Sequence, residues 1–301
     1  MTTLNGVLSR IRQQAMGYAK AQSAVAELAA DMTGTDVAFT ADAGAVTELA
    51  RGLVEIDDEL ILLKSYDRAS GVVQVMGGLN GRGAEGTIPA AHSRQALITA
   101  DPRFPRARMA EAVNDVLQSL YPSLCVFATT SISNLSVVYE YGMPADALDV
   151  WAVSDQTIGP SQVWMQGLNY RFNPTADTTA FPTGKSIQLF DPVTPGRSML
   201  IKYAKSPSPL ALGSDEFATV TGLPERCVDM VVWGACARLL PGYEAARLQQ
   251  TAVESTERAA LVPPASATKT AQYYMAMYSQ RLDEERTRMF NEHPTTVSYG
   301  A

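Results

Sequence analysis

Residues 215–240, DEFATVTGLPERCVDMVVWGACARLL, decide how this chain is read. From Val228 onward the text is apolar around much of a helical circumference, and a helix without a polar face is normally central in its fold. Pro224 suits a first helical turn, whereas Pro241-Gly242 is expected to break the helix. Gly234, Ala235 and Ala237 leave room for a neighbouring helix to come close. The flanking text must therefore supply helices to cover this one.

It does so at both ends and once in the middle. Leu4, Val7, Leu8, Ile11, Ala15 and Tyr18 recur at helical steps, and Val25 and Leu28 extend the stripe, so residues 3–31 read as a helix. PRARMAEAVNDVLQSL (105–120) opens on Pro105 and carries Met109, Val113, Val116, Leu117 and Leu120 on one face. Tyr121-Pro122 stops it, because the residue before proline is pushed out of the helical region. After residue 242, GYEAARLQQTAVESTER has a weaker stripe. Residues 267–290 read as a last helix, with Tyr274, Met277, Tyr278 and Leu282 inward and Glu284 paired with Arg288 outward.

Between the helices lie two strand-like passages. EIDDELILLKSY (55–66) turns from acidic to apolar, YDRASG supplies a turn, and VVQVM follows, which predicts a hairpin with a loop longer than two residues. On one continuous strand Asp57 and Glu59 share a face and Asp58 takes the other. That acidic group reads as a solvated or partner-facing edge that discourages stray strand pairing. It lacks the glycine and terminal glutamate of a calcium loop. Residues 124–204 hold six short strands with Asn, Gly and Pro turns and no long helix between them, which predicts an antiparallel sandwich or barrel.

The expected fold class is α+β: a helical bundle formed by N-terminal, middle and C-terminal helices, with one small and one larger antiparallel β insertion. The expected units are 1–48 (N-terminal helix), 49–104 (small β insertion with a glycine-rich loop), 105–123 (bundle helix), 124–212 (larger β insertion) and 213–301 (C-terminal helices and tail).

With 46% apolar and 18% charged residues the chain is folded rather than disordered. The low charge fits a surface partly covered by partners, and equally a soluble protein rich in Ser, Thr, Gln and Asn. Net charge is −7, and the first 150 residues hold 11 basic against 17 acidic groups. With no Lys/Arg cluster, specific nucleic-acid binding is not expected. Cys125, Cys227 and Cys236 sit in apolar text and read as buried free thiols in a reducing compartment. No signal-peptide block and no apolar run of roughly 20 residues is seen, so no membrane association is expected.

Gly81-Arg-Gly83-Ala-Glu-Gly86 matches GxGxxG, but Thr87-Ile-Pro89 follows where a dinucleotide site needs a helix to open. A flexible or partner-ordered loop is the better reading. His92 lacks an evident acid and nucleophile and reads as structural. His293 reads as solvated, and two distant histidines make a poor zinc site. Trp151, Trp164, Tyr170 and Phe172 read mainly as core. No catalytic, cofactor or metal residue is assigned.

Several of these segments together resemble the head-to-tail adaptor (connector) proteins of tailed bacteriophages. They are Glu55–Glu59 with its hairpin, Arg82-Gly83, Gly86-Thr87, Ala90-Ala-His92, the 105–120 helix, and GLPERCVDMVVWGACARLL. The resemblance implies a non-catalytic virion protein forming a ring, usually of twelve subunits. The ring would join the portal to the next neck or tail protein and line the channel through which DNA passes without specific binding. It further implies location in the virion neck after assembly in the bacterial cytoplasm. An acidic lining would keep sliding DNA from sticking. Partner-facing candidates are Asp57, Asp58 and Glu59 at the acidic edge, Arg82 and Glu85 in the glycine loop, and Phe290, His293 and Tyr299 in a C-terminal tail. That tail is expected to be loose until a neighbour orders it. Two alternatives stay open: a small nucleotide-binding or hydrolytic enzyme, and a minor tail or capsid-decorating protein.

Overall fold

A computed structural model gives the fold and describes residues 1–16, 25–42, 49, 52–134, 138–156, 164–191, 196–250 and 266–293. Leu4, Val7, Leu8 and Ile11 are buried along one face of α1 (Leu4–Met16), as their spacing predicts. The helix is shorter than the expected 3–31. Val25–Glu27 is a strand, β1, and Leu28 bridges to Ala41. Two apolar residues three apart suit a strand pair as well as a helix, and backbone pairing of β1 with residues 97–99 decides the matter. Tyr18 lies outside the described residues.

β1 and β2 (Ala38–Thr40) join β3 (Gly52–Ile56), β4 (Glu59–Tyr66), β5 (Val72–Val75) and β6 (Leu97–Ala100) in one antiparallel sheet of order β1-β6-β3-β4-β5-β2. The sheet is thus larger than a hairpin and takes in chain from before residue 49. Ile56 pairs with Glu59, so Asp57-Asp58 is a two-residue turn, with Asp57 at φ 53°. This corrects the reading of a single acidic strand. Val54, Ile56, Ile61, Leu63, Val73 and Ile98 belong to a core of the sheet's own.

α2 (Arg106–Ser119) follows, with Pro105 as its cap and Met109, Val113, Val116 and Leu117 buried as expected. The second β unit has two antiparallel sheets. One orders β10 (Trp164–Gln166), β9 (Asp149–Gln156), β13 (Ser198–Lys205) and β7 (Val126–Ser133). The other orders β11 (Tyr170–Asn173), β12 (Ser186–Leu189) and β8 (Glu140–Gly142). Val150, Val153, Met199 and Ile201 of the first share a core with Tyr141, Ile187 and Leu189 of the second.

The chain then returns to helices: α3 (Phe217–Thr221), α4 (Val228–Gln250) and α5 (Ser266–Glu292). α4 is buried on several sides, at Val228, Met230, Val231, Val232, Ala235 and Cys236, and shares one apolar core with α1, α2, α3 and α5. A Cβ on Gly234 would stand 3.0 Å from both Tyr278 of α5 and Val116 of α2, so the small residue sets how closely these helices approach. Contrary to expectation, α4 runs through Pro241. Pro241 is exposed, where solvent can take the carbonyl that its missing N–H leaves free. Arg288 pairs with Glu285 at 2.7 Å, and Glu284 with Arg281, which corrects the expected Glu284/Arg288 pair. The fold is mixed α+β, with several helices and three antiparallel sheets.

Candidate functional site

The glycine-rich loop folds back over the start of β4. It forms two 3-10 turns, Gly78–Gly81 and Ala84–Gly86, and is held by a buried charge cluster. Glu59 takes the Arg82 guanidinium in a fork, with Oε1 to Nε at 2.6 Å and Oε2 to Nη2 at 2.8 Å. The other Arg82 N–H groups donate to the carbonyls of Thr33, Asp36 and Ala90 at 2.8–2.9 Å, so all five donors are used. Glu59 also accepts the backbone N–H groups of Gly83 (3.0 Å) and Ala90 (2.9 Å). Both His92 ring nitrogens face carboxylates, Nε2 on Glu59 at 2.9 Å and Nδ1 on Asp57 at 2.8 Å. Burial pushes the Glu59 carboxyl up, but Arg82, the Ala90 N–H, His92 and the Gly83 N–H outweigh it and hold the group at about 2.

This corrects three expectations. The side chains of Glu59 and Arg82 are fully buried, with every donor engaged by the chain itself, so neither presents a surface to a partner. The loop is pinned by that cluster rather than waiting for a partner to order it. Its glycines serve close packing: a Cβ on Gly81 would fall 2.2 Å from the Met76 carbonyl, and Gly83 sits at φ 61°, where a Cβ would come 2.6 Å from the Thr87 carbonyl. Thr87 is extended and the next α-helix begins only at Arg106, so the GxGxxG match lacks the helix N-terminus that a pyrophosphate site uses.

Around the cluster sit the exposed acids. Asp57 reaches His92 from the surface, Asp58 pairs with Arg106 of α2 at 2.8 Å, and Glu85 stands 3.7 Å from Arg108. The structure therefore brings Asp57, Asp58, Glu59, Arg82 and Glu85 into one region beside the start of α2.

Phe290 and His293 lie elsewhere, at the end of α5, docked on the second β unit. The indole N–H of Trp151 donates to the His293 carbonyl at 3.2 Å, and the His293 ring meets Phe127 edge-on with centroids 4.4 Å apart. Lys202 Nζ lies 2.9 Å from His293 Nδ1 and 4.8 Å from the Phe127 ring centre. His293 is thus half-buried rather than solvated, and burial, with Lys202 adding, lowers its pKa below the usual value. Phe290 is half-exposed, tilted against Trp151 and beneath Arg286. Neither residue belongs to a loose tail, while Tyr299 lies outside the described residues. Trp164, expected in the core, is 38% exposed on the edge strand β10.

Sequence reasoning missed Glu285 of α5. It is buried and held by Arg226, Arg281 and Arg288 at 2.8, 3.2 and 2.7 Å. Its place four residues after Arg281 and three before Arg288 was the available signal. Cys125, Cys227 and Cys236 are buried free thiols, and burial pushes Cys227 and Cys236 up to about 12. Among the described residues no three His, Cys, Asp or Glu side chains converge to hold a metal ion.

The family model of the SU10 adaptor protein matches residues 90–297. No curated protein matches the chain. The match begins at Ala90 and takes in α2, the second β unit and every helix after it, whereas Arg82–Thr87 lies outside it. With more than half of its length covered, the chain belongs to the SU10 adaptor protein family, the non-catalytic, ring-forming head-to-tail adaptors of the phage neck.

Proposed function

We propose that this adaptor forms a dodecameric ring between the portal and the next neck or tail protein, and that its helices stand side by side as the bundle of that ring. The family match carries the reading. The shared apolar core of α1 to α5 supports it, because it leaves the two β units with cores of their own, suited to reach outward as insertions. The proposed units are a helical one, made of α1, α2 and α3 to α5, with one β insertion made of β1 to β6 and another made of β7 to β13. Assembly takes place in the host cytoplasm, and the finished protein resides in the virion neck.

The surface acids Asp57, Asp58 and Glu85 and the half-exposed Phe290 are the proposed partner contacts, joined by His293 and Tyr299 at the C-terminal end. The net charge of −7 supports a channel lining from which DNA is repelled rather than bound. Electron microscopy of the purified chain mixed with portal tests the proposal. The expected result is rings of twelve capping portal particles. Persistent monomers without affinity for portal in physiological buffer would overturn it.

A further inference from the structure

Lys202 lies opposite Thr129 and Ala204 opposite Phe127 in the β13–β7 pair, so all four share one face of that sheet. The other face, with Met199, Ile201 and Tyr203, enters the core of the second β unit. Between the Lys202 face, the turn after α3 and the end of α5 lies a cavity of about 530 Å³, within the range of small-molecule sites. Val126, Leu223 and Met289 give it an apolar wall.

The charges in its lining are unequally matched. Glu285 and Glu292 are both taken by Arg226, at 2.8 and 3.1 Å, and Glu285 also meets Arg281 and Arg288. Lys202 has no such counterpart, because no carboxylate of the described residues stands within ion-pair reach of its Nζ. Nζ instead meets His293 Nδ1 at 2.9 Å and lies over the Phe127 ring. An ammonium only donates, so Nδ1 is the bare nitrogen of a neutral imidazole, and two ammonium N–H groups are left over. Burial lowers the Lys202 pKa below its ordinary value, the mark of a cation that has lost water without gaining an opposite charge. The cavity is therefore one anion short.

We propose that this cavity binds a small organic monocarboxylate, whose oxygens accept from Lys202 Nζ while its apolar body lies against Val126, Leu223 and Met289. Thr129, across the strand pair and in the same lining, offers a hydroxyl to the second oxygen. A monoanion suits the site better than a multiply charged group, since Glu285 and Glu292 share the cavity and oppose each added negative charge. The inference needs neither ring assembly nor a partner chain.

Hexanoate, hexanol and inorganic phosphate, added at millimolar concentration to the full chain, test the proposal through the Met289 methyl resonance and thermal melting. Hexanoate is expected to shift the methyl signal and raise the melting temperature, with hexanol and phosphate binding about tenfold more weakly or worse. Lys202→Met keeps the apolar stem and removes the ammonium. It should weaken hexanoate binding about tenfold or more and leave hexanol unaffected. Hexanol equal to hexanoate means an apolar hollow alone, phosphate equal to hexanoate means a bare charge site, and either overturns the inference, as does no response to any probe. If Lys202→Met does not fold, hexylammonium on the wild type decides. Silence toward this ligand of equal stem and opposite charge supports the inference, and a response equal to that of hexanoate overturns it.

Discussion

The two β units are fastened to the helices in different ways. The first sheet reaches α1 and α2 through ion pairs, Arg12–Glu55 at 3.5 Å, Arg106–Asp58 at 2.8 Å and Arg108–Glu85 at 3.7 Å, and none of its buried apolar residues belongs to the helical core. The second unit runs its strand ends into that core at Cys125, Val126 and Ala204, and it holds the end of α5 by the Trp151, Phe127 and His293 contacts. The Asp58–Arg106 and Glu85–Arg108 pairs are solvent-exposed, and such pairs are weak and screened by salt, whereas buried apolar area is not. The first unit is thus an internally rigid body on a polar seat, and the second is continuous with the helices.

The sharpest way to break this comparison is to attack the charge cluster that makes the first unit rigid. Arg82→Met leaves Glu59 buried and unpaired and is expected to cost about 3–5 kcal/mol. Hydrogen exchange should localise the loss to residues 25–104 and spare α4. If α4 loses protection equally, the two units are not separable. The same cluster sets an acid limit. Because the Glu59 carboxyl is held at about 2, its stabilisation is complete above the ordinary carboxylate range and disappears as pH falls through about 2.

Next in size is the aromatic dock. Trp151→Ala should loosen the end of α5 by about 1–2 kcal/mol, with little dependence on salt, read from protection of residues 285–293. His293 adds a pH dependence to the same contact. Its pKa is lowered in the fold, so its contribution is full above the ordinary histidine value and is lost as pH falls through the lowered one. His293→Gln should flatten that part of the profile. The smallest effect belongs to the polar seat. Arg106→Gln or molar salt should change stability by only about 0.2–1 kcal/mol per pair, yet should detectably increase exchange at the β3–β4 turn.

The helices were legible because burial on one face imposes a period that residues 105–120 and 267–290 carry on their own. The strands of the second unit were legible from turn residues between β-branched runs. Residues 25–42 were not, because two short strands gain their identity only by pairing with β6 and β5, about 70 and 30 residues onward. The acidic passage at 55–59 failed for the same reason. Glu59 is a core residue only because Arg82, 23 positions later, folds onto it, and nothing local marks the difference between Asp58 and Glu59. Phe290 and His293 were recognised as contact-making residues, but their nearest surface is the chain's own sheet.

α5 runs unbroken for 27 residues. Near its start the Tyr274 hydroxyl donates to the Gln14 carbonyl at 3.0 Å, and at its far end Trp151 holds the His293 carbonyl. Those two fixings lie roughly 28 Å apart at about 1.5 Å of rise per residue. Strain applied to the larger β unit is therefore transmitted along a stiff strut to the opening helix of the chain.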